Sequence, residues 1–230
     1  MSHFKMDETC FFSQVLKMLR FRLMGFPIEV QPFFWLICAI FGGAFSTRAP
    51  EDWIAVPFGM AAIFVSILGH ELGHAFMAKR YGGNPRIALH SLGGVTMLGG
   101  SGFTRRENIM ITAMGPLVSI AIGVLALLLT PVALFNEYFG FFLGTAVWVN
   151  FIWTVFNMLP ILPMDGGQIL ATVLGPKNAK LSCLIGGWTA SLGAVGLILF
   201  MGYGAVFAAA ILGFMAYQNF RGASMLGGVR

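Results

Sequence analysis

Charge is what this chain has least of: Asp, Glu, Lys and Arg make up only 10% of its 230 residues. Soluble globular domains carry about a quarter of their residues charged, so that class is excluded. Cysteine is scarce too. Cys10, Cys38 and Cys183 are odd in number and far apart, which excludes a disulfide framework and a thiolate zinc knuckle and leaves isolated thiols. No polar block is long enough to build a second, water-exposed domain. The N-terminal region mixes Lys5, Asp7, Glu8, Lys17, Arg20 and Arg22 with apolar residues. It lacks the tripartite order of a cleavable signal, so insertion is expected to rely on the first membrane helix.

What fills the chain instead is apolar. Hydrophobic residues make up 57% and the mean hydropathy is +0.82, the composition of an integral membrane protein. A bilayer admits helices or a closed barrel, and the apolar runs are long and unalternating, so helices are expected. The fold class is therefore an all-α polytopic membrane protein. Spans are expected at about 31–46, 53–80, 108–130, 139–159, 182–201 and 204–220, the first of them short for a bilayer. Residues 1–26 read as a cytosolic segment, with Phe11, Phe12, Val15, Leu16 and Leu19 at the spacing of a surface helix. Residues 27–220 form the membrane domain and 221–230 a cytosolic tail. Phe26–Val30 reads as an extended lead-in. Residues 81–107 contain two short apolar pieces separated by Gly93-Gly94, the pattern of a small β-hairpin over 86–98 near the cytosolic face.

The basic residues test the span count. With six helices and a cytosolic N-terminus, every Lys and Arg except Arg48 falls on the inside, as the positive-inside tendency requires. The net charge of +5 is thereby explained without a nucleic-acid partner. Both termini are expected in the cytosol.

Inside the second span stands His70-Glu71-Leu72-Gly73-His74. On a helix, residues four apart share a face, so both imidazoles can bind one metal ion, and Glu71 can take a proton from a bound water. Ionisable groups within a membrane are costly and usually functional. Catalytic zinc needs a third protein ligand and an open position. Glu51, Asp52, Glu107 and Glu137 sit at expected helix ends or loops, which leaves Asp165, in Asn157-Met158-Leu159-Pro160-Ile161-Leu162-Pro163-Met164-Asp165-Gly166-Gly167. Depth agrees with this choice. His70 comes about seventeen residues into its helix, roughly 25 Å along it. Asn157 lies about as deep in the fourth helix, where Pro160 and Pro163 end or kink the chain. Asn150, seven residues earlier, reads as an interhelical contact.

HELGH together with NMLPILPMDGG, Gly93-Gly94 after a hydrophobic strand and Gly115-Pro116 in the third helix resembles the site-2 proteases, the intramembrane zinc metalloproteases of peptidase family M50. The resemblance covers about residues 20–175. It implies one Zn2+ held by His70, His74 and Asp165, Glu71 as general base and proton shuttle, and Asn157 as a group that positions substrate or the oxyanion. It departs from the family at Ser119, where many relatives have Asn, and no PDZ-like or CBS-like module is present. The activity implied is hydrolysis of peptide bonds in or near the transmembrane segments of membrane-anchored proteins. An unwound substrate segment could bind as an added strand at the 86–98 hairpin. The competing readings are a membrane metal transporter and a catalytically silent metal-binding scaffold. Compact size favours a prokaryotic inner membrane.

Overall fold

The structure is a computed structural model that describes residues 18–91, 93–100, 102–131 and 136–227. It opens with a hairpin. Strand β1, Leu19–Leu23, turns back into β2, Phe26–Val30, through Met24 and Gly25. Both turn residues have positive φ, 52° and 87°, the mirror-image turn that matches strand twist. Sequence reading assigned Leu19 to a surface helix; it stands in β1 instead. Alternation wins here, because Arg20 and Arg22 fall between Leu19, Phe21 and Leu23 at period two, and the turn follows at once. Phe11, Phe12, Val15 and Leu16 lie outside the described residues.

After β2 the chain forms α1, Pro32–Ala39, prolonged by a π-helical turn over Ile40–Ala44 in which Gly43 has φ 111°. A 3-10 turn, Pro50–Ile54, leads into the long helix α2, Val56–Arg80. Strands β3, Arg86–His90, and β4, Gly93–Met97, form the expected hairpin. It is half of a larger sheet ordered β1-β2-β3-β4, in which β2 and β3 run parallel with Ile28 opposite Ile87. Phe26, Ile28, Val30, Ile87 and Leu89 are buried, every second residue of the two inner strands. They pack on Phe34, Cys38, Ile63, Ile67, Leu68 and Ala75 of the helices. Full burial of each large apolar side chain is worth about 1.5–3 kcal/mol, so this cluster fastens the sheet to one side of α2.

Helix α3, Arg105–Leu129, starts on a capping box: Glu107 N–H donates to Thr104 Oγ1 and Thr104 N–H to Glu107 Oε2. Helix α4, Glu137–Asn157, is capped by Asn136. Ala62, Ala126, Leu143 and Ala146 form the junction of α2, α3 and α4, and the three alanines are small residues that let backbones approach where lipid removes the hydrophobic drive. Asn150 donates to Ser66 Oγ on α2 at 2.8 Å, an interhelical bond as expected. The chain then makes a short helix that sequence reading did not foresee, α5, Asp165–Leu174, followed by α6, Ala179–Met201, and α7, Val206–Gly227. The last helix continues past residue 220, where the sequence suggested a tail.

Among the described residues, four segments are long and apolar enough to cross a membrane: Pro50–Arg80, Arg105–Leu129, Glu137–Asn157 and Pro176–Leu226. The last, 51 residues, is folded back at Gly202–Ala205 into α6 and α7. Their contacts run in opposite senses, Gly186 facing Asn219 and Gly193 facing Leu212. The Pro32–Ala44 segment is shorter than a bilayer span. The protein is mostly helical, with one small four-stranded sheet.

Candidate metal centre and active site

Helix α2 carries the two histidines one turn apart, and both are buried. Their Nε2 atoms lie 3.1 Å from one another. Each ring is held by its other nitrogen. His74 Nδ1 sits 2.8 Å from the carbonyl oxygen of Ile111, which can only accept, so Nδ1 carries the hydrogen and Nε2 presents a lone pair. His70 Nδ1 sits 3.0 Å from Ser119 Oγ, and donation to that hydroxyl leaves its Nε2 in the same state. Both partners come from α3, which reaches the rings because Gly115 has no side chain. A Cβ there would collide with His74 Nε2 and Cε1 and approach His70 Nε2 to 2.9 Å.

The third donor arrives from far along the chain. Asp165 is the first residue of α5, where the partial positive charge of a helix N-terminus favours a carboxylate. Its Oδ2 lies 3.1 Å from His70 Nε2 and its Oδ1 3.5 Å from His74 Nε2. Asp165 Oδ2 is nevertheless buried without a hydrogen bond. The two observations agree once the tautomers are considered, because no hydrogen lies on the nitrogen facing it. Two lone pairs and an anionic oxygen converging in a buried site, all within 4.8 Å, repel one another unless a cation stands between them. Two imidazoles and a carboxylate are a donor set used by catalytic zinc sites.

Glu71 is buried beside this cluster and is gripped by the sheet. Thr96 Oγ1 on β4 lies 2.7 Å from Glu71 Oε2 and 3.1 Å from the Glu71 carbonyl oxygen. One hydroxyl proton serves whichever acceptor it faces, and the shorter contact is the charged one. Gly94 makes this closeness possible, since a Cβ there would lie 2.5–2.7 Å from Glu71 Cγ, Oε1 and Cδ. Asn157 is the last residue of α4, half-buried.

Sequence reading missed Thr96, which carries no motif of its own. It also left Ser119 without a role, although a lone hydroxyl three residues after Pro116 was a signal: one helical turn separates it from the Gly115 contact with the same histidine.

Comparison with known proteins now has a site to refer to. The sequence model of peptidase family M50 matches residues 133–199. A zinc metalloprotease of Methanocaldococcus jannaschii is 35% identical over 162 residues, 70% of this chain and 46% of its own length. Stage IV sporulation protein FB of Bacillus subtilis is 28% identical over 146 residues, 62% of this chain and 46% of its own. A solved site-2 protease from Methanocaldococcus jannaschii superposes with a TM-score of 0.58 at 27% identity, covering 93% of this chain and 97% of that one. The chain is similar in sequence and fold to the site-2 proteases of peptidase family M50. It spans less than half the length of the two relatives matched by sequence, yet nearly all of the solved protease chain. With its apolar helices, it is built as an integral membrane protein.

Proposed function

We propose that this protein is an intramembrane zinc metalloprotease that hydrolyses peptide bonds in or near the transmembrane segments of membrane-anchored proteins. One observation carries the reading. Two histidines of an apolar helix and a distant aspartate meet in a buried cluster, with both histidine Nδ1 atoms already committed elsewhere. His70, His74 and Asp165 are assigned to hold the ion, which when bound polarises the scissile carbonyl and acidifies water. Glu71 takes the proton of the attacking water and passes it to the amide nitrogen as the C–N bond breaks. The side-chain amide of Asn157 is assigned to the oxygen that gains negative charge.

A helical substrate hides its carbonyls in its own hydrogen bonds and must unwind before cleavage. Among the described residues strand β4 ends the sheet and lies against Glu71, so its outer edge is the assigned platform for the unwound segment, bound as an added strand. We further place six helices across the bilayer, counting the short Pro32–Ala44 segment, with both termini cytosolic in a prokaryotic inner membrane. Lys79 and Arg80 at the end of α2, Arg105 and Arg106 at the start of α3, and Lys180 at the start of α6 support that orientation. A transporter would need further ligands along a path, and among the described residues the one metal-holding cluster is His70, His74 and Asp165.

The test is zinc content and cleavage of a membrane-anchored substrate by wild type and Glu71→Gln. Zinc retained with cleavage lost is the expected result; cleavage at the wild-type rate by the variant would remove Glu71 from the mechanism.

A further inference from the structure

The α6–α7 pair lies beyond the segment that carries the motifs, yet it touches the loop that delivers Asp165. Between Asn157 and Asp165 the chain passes through Pro160 and Pro163, neither of which has an N–H to donate. The loop satisfies part of itself, with Ile161 N–H bonded to the Leu159 carbonyl and Met164 N–H to the Ile161 carbonyl. Among the described residues, Leu162 has no such backbone partner. Its two polar groups are met by a single side chain, Asn219 on α7, 57 residues away. Asn219 Nδ2 donates to the Leu162 carbonyl at 2.7 Å, and Oδ1 accepts from the Leu162 N–H at 3.3 Å. The second Nδ2 hydrogen goes to the Met215 carbonyl at 2.8 Å, so both donors are used.

The clamp is built into the packing around it. Asn219 is only 3% exposed. Gly186 on α6 leaves the room it occupies, since a Cβ there would collide with Asn219 Oδ1 and come within 3.1 Å of the Pro160 carbonyl. Ile161, the residue before the clamped one, is fully buried with Ala190, Leu212 and Ala216 of the same helix pair. On the other side the loop abuts α5 itself. A Cβ on Gly166 would strike the Met158 carbonyl and one on Gly167 the Ile161 carbonyl. Leu162 is therefore a fixed point between α7 and the first turn of α5, three residues before the carboxylate.

We propose that Asn219 is a positioning residue for the metal site: by gripping both polar groups of Leu162 it sets the place from which Asp165 reaches His70 and His74. The proposal rests on the metal-site reading above. It makes the α6–α7 pair part of the site's framework, and it predicts that loss of the clamp weakens metal binding more than an equal loss of helix packing does.

The experiment measures zinc affinity of the full chain in detergent micelles by competition with a chromophoric chelator, alongside the melting temperature of the metal-stripped protein. Asn219→Ala removes the clamp. Asn219→Ser is the gentler variant, because a serine hydroxyl can bond the carbonyl four residues back, Met215, but is too short for Leu162. Leu212→Ala is the control, removing apolar contact between the same two helices and the loop while leaving both Leu162 hydrogen bonds in place. Zinc affinity lower by roughly 10–100-fold in both Asn219 variants is expected, the range typical of groups supporting a metal ligand, with Leu212→Ala close to wild type. Asn219 variants that bind zinc as wild type does would overturn the proposal. So would a Leu212→Ala loss equal to theirs at the same melting temperature, since the effect would then be general loosening. A wild-type chain that binds no zinc would instead overturn the metal-site reading beneath it.

Discussion

Replacing Thr96 with valine tests how the sheet serves the chemistry. The side chains have nearly the same volume and β-branching, so β4 keeps its propensity and packing. What disappears is the hydroxyl 2.7 Å from Glu71 Oε2. Hydrogen bonds to charged groups contribute about 1.5–3 kcal/mol, and each 1.36 kcal/mol in a barrier is a factor of about ten. If the bond is needed to keep the Glu71 carboxylate aimed at the attacking water, kcat should fall by about 10–150-fold on that scale. KM should change little, since Thr96 orients the base and does not bind the metal. Zinc content should stay at the wild-type value, because none of the three donors touches Thr96. The assay is time-resolved cleavage of a purified membrane-anchored substrate in liposomes, with zinc measured in the same preparations, and Thr96→Ser should recover most of the rate. A valine variant within twofold of wild type would refute the idea that the sheet aims Glu71. Loss of zinc in proportion to activity would show instead that the strand supports the whole site.

Other expectations follow from the same contacts. Ser119→Ala strips the partner from His70 Nδ1 and should weaken zinc binding by roughly 10–100-fold, measured by chelator competition; Ser119→Thr, which keeps a hydroxyl, should weaken it less. Val95→Pro removes an N–H from the strand facing Ala88 and should slow cleavage while zinc content holds, which a liposome assay paired with metal analysis will separate. Stripping the metal should lower thermal stability, because the cluster then loses what stabilises it. At free zinc 100 times the Kd the difference is about 2.7 kcal/mol, and His74→Ala should melt at one temperature with or without zinc.

Legibility in the sequence divided along physical lines. The long helices were readable because lipid imposes an apolar run on each, and the observed bounds of α2, α3, α4 and α6 fall within a few residues of expectation. His70, Glu71 and His74 were readable because their spacing is a property of one helix. Asp165 was singled out by elimination, since acidic residues in apolar surroundings are few enough to enumerate, and the structure brings it to the two histidines. Strand β1 was misread because Leu19 fits a helical spacing and an alternating one equally well, and only pairing with β2 decides between them. Helix α5 was missed because ten residues after two prolines leave too little periodicity. Thr96 and Asn219 could not be read at all: their roles depend on tertiary partners 25 and 57 residues away.

The residues that were hard to read have one task in common, and the apolar setting explains it. In water, a histidine or carboxylate that turns away from its metal is met by solvent. Inside a helical membrane domain solvent reaches only where a cavity admits it, so the groups of the site are held by the protein. His74 is held by the Ile111 carbonyl, His70 by Ser119, Glu71 by Thr96, and the Asp165 loop by Asn219. These four tethers come from α3, α3, β4 and α7. The motif helix therefore contributes His70, His74 and the proposed base Glu71, while the groups that hold them come from elsewhere. The small sheet and the α6–α7 pair thus support, from outside α2, a site that α2 does not orient alone.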